Sequence, residues 1–165
     1  MPRIGPDRTT FPADIQIAGL GKSYGDGPDA VVAMADVDLD VTAGEFIALV
    51  GASGCGKSTL LRILAGFETA TAGSVVVAGE QVTGPSPERG VVFQDYGLFP
   101  WLTVAENIGF GPRQKRYPRD VVAERTEEFM ATVGLTRFAS SYPGQLSGGM
   151  QQRVAIARAL ANHPS

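Results

Sequence analysis

A nine-residue segment rich in glycine carries the residues best suited to chemistry in this sequence. It comprises Gly51, Ala52, Ser53, Gly54, Cys55, Gly56, Lys57, Ser58 and Thr59. The segment matches the pattern G-x-x-x-x-G-K-[ST], in which glycines let the backbone approach a phosphate closely. Lys57 can reach the β- and γ-phosphates of a nucleotide, and Ser58 can bind Mg²⁺. The segment predicts a site for a nucleoside triphosphate with Mg²⁺, but not the class of protein that uses it.

A second segment, LSGGM, offers another place where an anion could bind. Ser147, Gly148 and Gly149 stand where a helix is predicted to begin. A serine cap, unshielded glycine amides and a helix N-terminus together suit an anion. The simpler interpretation is a serine N-cap with a flexible entry to the helix.

A glutamine lies between these two segments. Gln94 follows the predicted strand GVVF, and its carboxamide could reach Mg²⁺ or orient a water molecule near the γ-phosphate. A glutamine after a strand is unremarkable by itself. The two anion sites, however, are about ninety residues apart in sequence and could serve one nucleotide if two copies met head to tail.

The elements that must position the glycine segment are strands and one helix. Residues 14–24 read as a strand, and residues 36–41 alternate strictly between aspartate and apolar residues, which indicates a strand with one face in water. EFIALVG, residues 45–51, is a continuous apolar run that is typical of a parallel strand covered on both faces. STLLRILAG then predicts a helix that ends at Gly66.

After this helix, the sequence predicts two further strands and then a series of helices. SVVVAGEQV reads as a strand entering a turn, and GVVFQ as a second buried strand. Thr103 and Glu106 form a predicted capping box, and the short helix that they open ends at Gly109, Gly111 and Pro112. A longer amphipathic helix ends at Gly134. The helix behind LSGGM carries an apolar stripe suited to a sheet, made of Val154, Ala157 and Ala161 with Ile156 and Leu160 alongside.

Composition and charge narrow the class of protein. The chain has 165 residues, of which 44% are hydrophobic and 19% charged, as in an ordinary globular domain. Its net charge of −3 argues against a nucleic-acid partner. A single cysteine excludes an internal disulfide framework, and no apolar run is long enough to span a membrane. We expect a loose tail over residues 1–13 and one domain over residues 14–165.

Taken in order, the segments GASGCGKST, VVFQ and LSGGMQQRVAIARAL resemble those of the ATP-binding subunits of ABC transporters. The resemblance implies an α/β fold of the P-loop NTPase (RecA-like) type. This fold comprises a parallel core, an N-terminal antiparallel β layer and a helical subdomain that carries the LSGG signature. It also implies that ATP with Mg²⁺ is sandwiched between the glycine loop of one subunit and the signature of the other.

The resemblance assigns roles to individual residues. Tyr24 would stack on the adenine, although core packing is an alternative for this side chain. Lys57 would hold phosphate, and Ser58 and Gln94 would hold Mg²⁺, with Gln94 as the catalytic residue that couples the metal site to the membrane partner. The signature residues Ser147, Gly148, Gly149 and Met150 would clasp the partner's ATP. Met150 replaces the glutamine commonest at its position and cannot supply that polar side chain.

The stretch YGLFPWLTVAENIGFG most resembles the importer branch for nitrate, sulfonates and taurine. The implied partners are a second ATP-binding subunit, transmembrane permease subunits and, indirectly, an extracytoplasmic solute-binding protein. The implied location is the cytoplasmic face of the inner membrane, bound peripherally through the permease. Pro100 and Trp101 would face that permease. Alternatively, Leu98, Phe99 and Trp101 are ordinary core.

The resemblance also predicts elements that follow the signature in this family, and the sequence up to Ser165 does not contain them. These are the Walker B aspartate, the catalytic glutamate and the switch histidine; His163 precedes the switch position. We therefore expect a core incomplete at its C-terminal end, a chain prone to aggregation and negligible ATP hydrolysis.

Three hypotheses stay open at this stage. The chain is most of an importer ATPase, a nucleotide-binding fragment without ATPase activity, or a different P-loop ATPase such as a chromosome-maintenance or repair protein. The third hypothesis is disfavoured because it expects a long coiled coil after Gln94, where only about fifty residues without heptads precede the signature.

Overall fold

The computed structural model describes residues 13–162, which form two compact units, residues 13–86 and 87–162. Each unit contains its own apolar cluster. The predicted loose tail over residues 1–13 lies outside the described residues except for Ala13, and His163 lies outside them as well.

The first unit is built on a four-stranded antiparallel sheet. β1 (Ala13–Tyr24) pairs with β2 (Val31–Thr42) on one side and with β3 (Ala72–Val77) on the other. β4 (Glu80–Gln81) pairs with β3, which gives the strand order β2-β1-β3-β4. The alternation predicted for residues 36–41 is confirmed within β2, because its aspartates are exposed while Val37 and Leu39 are half-buried and Val41 is buried.

A single helix, α1 (Lys57–Ala65), packs with this sheet in one apolar cluster. The buried members of the cluster are Ile17, Leu20, Leu60, Ile63 and Val75. Gly66 follows α1 with a left-handed φ of 79°, and its N–H donates to the Ile63 carbonyl oxygen. The predicted end of the helix is therefore confirmed, since a glycine C-cap adopts this conformation without a Cβ penalty.

Two predicted buried strands are not formed in the structure. Residues 45–51 have no regular secondary structure, and Phe46 and Val50 are 91% and 93% exposed. Residues 90–94 also form no strand, and Val92 and Phe93 are exposed. An apolar run indicates a preference for burial, but a strand also needs a neighbour to which its backbone can hydrogen-bond. Within residues 13–162, neither segment has such a neighbour, because the one sheet there is the antiparallel one.

The second unit is helical. Its helices are α2 (Val104–Ile108), α3 (Phe110–Gln114), α4 (Arg119–Thr132) and α5 (Gly148–Leu160), with short 3₁₀ turns before α5. They surround a cluster whose buried members are Val104, Ile108, Met130, Leu135, Leu146, Val154, Ala157 and Ala161.

The helix ends of the second unit follow the sequence signals in part. The capping box of Thr103 and Glu106 is confirmed at the start of α2. The prediction that Gly111 and Pro112 end this helix is wrong, because the chain re-enters a helix at Phe110 and both residues lie inside α3.

The stripe of α5 packs differently from the prediction. Val154, Ala157 and Ala161 are buried against other helices, with α2 as the principal neighbour, and no sheet contacts them within this unit. Ile156 and Leu160 remain exposed. Small residues suit this contact because they let helix backbones approach closely.

Candidate functional site

The glycine loop of residues 51–59 lies between β2 and α1 in the first unit, and its last three residues form the first turn of α1. Gly54 and Gly56 have positive φ angles of 80° and 90°, a region that side chains with a Cβ rarely adopt. A Cβ added at Gly56 would also lie 2.7 Å from the Ala33 carbonyl oxygen. The backbone of the loop therefore requires glycine at this position for two separate reasons.

Gly56 is also the N-cap of α1, and it offers no side chain to the first turn of the helix. The first N–H groups of a helix have no intrahelical acceptor, and they carry the positive end of the helix dipole. In α1 these groups belong to Lys57, Ser58 and Thr59. The loop thus presents several backbone donors where an anion could bind.

The ammonium group of Lys57 lies inside the loop. Its Nζ donates to the carbonyl oxygens of Gly51 and Ala52, at 2.8 and 2.6 Å, and lies 3.4 Å from Cys55 Sγ. These contacts hold the cation beside the helix N-terminus. Two positive features, a lysine and a helix dipole, therefore converge on one loop.

Tyr24 and the glycine loop face the same cavity. The cavity has a volume of about 400 Å³, and Tyr24, Ser53, Gly54, Gly56, Lys57, Ser58 and Thr59 line it. The Tyr24 hydroxyl lies 3.5 Å from Thr59 Oγ1, and the residue is 40% exposed. This exposure disfavours the core-packing alternative and leaves a ring face that a planar group could contact.

Some residues around this cavity were missed in the sequence analysis. Val31, Val32 and Ala33 at the start of β2 complete its lining, and the two valines are more than 60% exposed. Lys22 Nζ lies 4.9 Å from the centroid of the Tyr24 ring. The sequence signal for these residues was the apolar pair Val31 and Val32, which precedes the alternating aspartates. At this end of β2 both side chains are exposed rather than part of the core.

The signature segment, residues 146–150, begins α5 in the second unit. Ser147 is the N-cap, and its Oγ accepts a hydrogen bond of 3.4 Å from the Met150 N–H, so the predicted serine cap is confirmed. Gly148 and Gly149 are exposed in the first turn. A Cβ at Gly149 would meet no atom within 4 Å, whereas one at Gly148 would lie 3.2 Å from the Tyr96 hydroxyl oxygen.

Gln94 lies in a turn that the Tyr96 N–H closes by donating to the Phe93 carbonyl oxygen at 3.1 Å. Its side chain is exposed. Gln94 belongs to the second unit and Ser58 to the first. Their joint binding of Mg²⁺ therefore stays a prediction.

Two polar residues missed in the sequence analysis organise the segment that follows Gln94. Asn107 is fully buried: its Oδ1 accepts from the Phe99 N–H at 3.0 Å, and its Nδ2 donates to three carbonyl oxygens, those of Phe99, Leu102 and Thr103. Arg158 on α5 donates from Nη2 to the Tyr96 carbonyl oxygen at 3.2 Å. Burial lowers the pKa of the Arg158 guanidinium below its ordinary value. The sequence signal for Asn107 was a polar amide side chain next to Ile108, an apolar residue of the predicted helix.

The aromatic cluster beside Pro100 is divided between core and surface. Phe99 is half-buried and contacts the Phe110 ring, with a centroid distance of 4.5 Å. Trp101 is 70% exposed, and its ring centroid lies 5.7 Å from that of Phe99. Neither alternative from the sequence therefore describes the whole cluster. Within residues 13–162, no helix has the length and apolar character needed to cross a membrane.

Comparison with known proteins identifies the family. A family model described as ABC transporter matches residues 34–165. The nitrate import ATP-binding protein NrtD of Synechocystis sp. is 45% identical over 150 residues, which are 91% of this chain and 56% of NrtD. The spermidine/putrescine import ATP-binding protein PotA of Oleidesulfovibrio alaskensis is 44% identical over 152 residues, which are 90% of this chain and 40% of PotA. The chain thus spans about half the length of these relatives.

A solved structure confirms the predicted fold class. The dimeric post-hydrolysis state of the ATP-binding cassette MJ0796, bound to ADP and Pi, aligns with a TM-score of 0.80 at 36% identity and covers 91% of this chain and 70% of that one. The antiparallel β layer and the helices of the present chain are therefore those of a P-loop NTPase cassette. Given the family match over most of the sequence and relatives above 40% identity, the chain belongs to the ABC transporter family.

Proposed function

We propose that this chain is the ATP-binding subunit of an ABC importer, in which ATP held between two subunits drives solute uptake. The observation that carries the proposal is the cavity in which Tyr24 faces the glycine loop. That cavity combines a ring face with a lysine and a helix N-terminus, which suit the adenine and the phosphates of ATP respectively.

Tyr24 and the glycine loop line the cavity and fit ATP, while Ser58 of the loop and Gln94 of the second unit are the proposed ligands of Mg²⁺. Tyr24 would stack on the adenine, and the loop amides with Lys57 would bind the phosphates. The Ser58 hydroxyl and the Gln94 carboxamide are oxygen ligands of the kind that Mg²⁺ prefers. Bound Mg²⁺ would neutralise charge on the phosphate oxygens, while Gln94 would couple the metal site to the membrane partner.

The second subunit enters the proposal through the signature segment. Ser147 and Gly149 begin a helix at the surface, where their amides and hydroxyl would contact the phosphates of ATP bound to another subunit. The dimeric state of the related cassette MJ0796 supports such an arrangement. Permease subunits, and indirectly a solute-binding protein, would complete an importer on the cytoplasmic face of the membrane. NrtD and PotA are both import ATP-binding proteins, which supports this context.

For the solute, we propose an anion of the nitrate, sulfonate or taurine type. The support is the stretch from Tyr96 to Gly111 and the similarity to NrtD. PotA, named for the import of polyamine cations, is almost equally similar, so the test must distinguish these classes. Deletion of the gene should abolish growth on nitrate, taurine or another sulfonate as sole nitrogen or sulfur source. A defect confined to polyamine uptake would contradict the anion proposal.

Nucleotide binding by the full chain tests the central proposal. A fluorescent ATP analogue should bind saturably, and Lys57→Ala should weaken its binding by about tenfold or more, because a charge-assisted contact to phosphate is lost. Tyr24→Ala should also weaken binding through the lost ring contact. Lys115→Ala is the matched control, since this lysine pairs with Glu88 in the second unit. Absence of saturable binding, or wild-type affinity in Lys57→Ala, would contradict the proposal.

A further inference from the structure

The turn after Gln94 contains a backbone conformation that is unusual for a residue with a side chain. Tyr96 has a φ of 62°, and Gly97 follows with a φ of 53°. A left-handed conformation is readily adopted by glycine but is disfavoured for an aromatic residue. Such residues persist where the surrounding structure holds them in place, and they are concentrated at functional sites.

Besides the hydrogen bonds within the turn, Arg158 contacts it from α5. Its Nη2 donates to the Tyr96 carbonyl oxygen at 3.2 Å, and its Nη1 lies 3.5 Å from Asn107 Oδ1. The guanidinium carbon also lies 5.2 Å from the centroid of the Phe99 ring. Because Arg158 is on α5, these contacts attach the turn to the helix that begins with the signature segment.

The side chain of Tyr96 extends from this turn to the start of the same helix. A Cβ at Gly148 would lie 3.2 Å from the Tyr96 hydroxyl oxygen, so the hydroxyl lies beside the first residue of α5. Within residues 13–162, no protein group forms a hydrogen bond with this hydroxyl. A phenolic O–H can donate one hydrogen bond, and it lies next to the backbone donors of the signature segment.

We propose that Tyr96 is a further phosphate contact of the signature segment, and that Arg158 is the positioning residue that holds Tyr96 there. The inference rests on the proposed function, because the ligand is the terminal phosphate of ATP bound to a second subunit. The hydroxyl would donate to that phosphate beside Ser147 and Gly149. The left-handed turn is then explained as the conformation that brings the hydroxyl to the helix N-terminus.

Self-association of the full chain at saturating ATP tests the inference. Tyr96→Phe removes only the hydroxyl and should raise the dissociation constant of the ATP-bound dimer by about tenfold or more, as for a lost hydrogen bond to a charged group. Sedimentation velocity measures the constant. Tyr117→Phe is the matched control, because it removes a hydroxyl from a ring that contacts Arg125 elsewhere in the same unit.

The outcomes separate this inference from the proposed function. If association requires ATP and is lost in Lys57→Ala but is unchanged in Tyr96→Phe, the inference is wrong and the proposed function stands. If the wild-type chain binds ATP but does not associate, the two-subunit arrangement and the inference both fail. If Tyr96→Phe alone weakens association relative to the Tyr117→Phe control, the inference is supported.

A double-mutant cycle tests the positioning role of Arg158. Arg158→Lys should weaken ATP-dependent association because an ammonium cannot reach both Tyr96 and Asn107 as a guanidinium does. In the Tyr96→Phe background the same change should add little, since Arg158 would act through the missing hydroxyl. Equal losses in both backgrounds would show a purely structural role and overturn the assignment.

Discussion

Among the residues that line the cavity of Tyr24 and the glycine loop, Gly56 has a backbone position that combines a left-handed φ with a close contact. We predict that Gly56→Ala destabilises the chain by at least about 1–2 kcal/mol, the cost of a left-handed alanine, with a further cost from the contact to the Ala33 carbonyl. The variant should also lose binding of the fluorescent ATP analogue. Urea unfolding and a binding titration measure the two effects.

Gly84→Ala provides the control for this prediction. A Cβ at Gly84 would meet no atom within 4 Å, and its φ is not in the left-handed region. Alanine there should be neutral or slightly stabilising. Equal stability of the two variants would contradict the argument from φ and close contact.

In the second unit, we expect replacement of Asn107 to lower the free energy of unfolding strongly. Asn107→Leu keeps a similar volume but removes the hydrogen-bond partners of the Phe99 N–H and the Leu102 carbonyl, whereas the Phe99 and Thr103 carbonyls keep backbone donors. We predict a loss of about 3 kcal/mol or more in the free energy of unfolding. Thr132→Val, which removes an exposed helix hydrogen bond, should cost less than about 0.5 kcal/mol. Urea unfolding followed by Trp101 fluorescence measures both; equal losses would contradict the prediction.

At the scale of residues, groups that act alone could be predicted from the sequence, whereas groups that act through neighbours could not. Lys57 and Ser147 were recognised because their spacing to glycines is local. Asn107 and Arg158 were missed because their partners lie in a loop whose path depends on tertiary packing. Tyr96 was missed for the same reason, since its left-handed φ has no signal in the residue itself.

Among the elements, α2 is short and depends on its capping box. The N–H and side-chain hydroxyl of Thr103 donate to Glu106, and these bonds lower the pKa of Glu106 below its ordinary value of 4.5. A carboxylate with a lowered folded-state pKa stabilises the fold above its unfolded pKa, and this contribution is lost as the pH falls through the folded value.

We therefore predict that Glu106→Gln destabilises the chain most above pH 4.5 and has little effect once the pH is below the folded pKa. Urea midpoints of both proteins at pH 3 to 7 test this. In a Thr103→Ala background the pH-dependent difference should be smaller, because one of the hydrogen bonds is absent. A difference that does not change with pH would show that the carboxylate charge contributes nothing.

Helices and antiparallel strands were predictable as elements from the sequence. The two predicted buried parallel strands, in contrast, are not formed. Gly66, Thr103 and the alternating aspartates are local signals, and each was confirmed. Residues 45–51 and 90–94 have the composition of buried strands, yet their state depends on a neighbour that composition cannot supply. The prediction that α5 packs against a sheet was wrong for the same reason. Its apolar stripe indicates that this face is buried, but not which element covers it.

For the molecule as a whole, the exposed segment of residues 46–50 should dominate solubility. It reads FIALV, without charge or proline, and such short apolar windows of high β-propensity promote aggregation. We predict that Phe46→Ser with Val50→Ser raises the soluble fraction severalfold. Leu61→Ser, a polar change at an exposed apolar position of α1, is the control. Light scattering at matched concentration measures the effect, and equal improvement in the control would contradict it.

The strand order β2-β1-β3-β4 has a consequence for encounters between copies of the chain. β2 borders the sheet on one side and carries Asp36, Asp38 and Asp40, so a second strand docking there would bring its own aspartates close to them. On the opposite side, β4 has only two residues and offers few backbone N–H and C=O groups with which an added strand could pair. Both borders are therefore poor templates for fibre growth. Any ordered assembly that extends through backbone pairing should avoid the sheet and begin elsewhere in the chain.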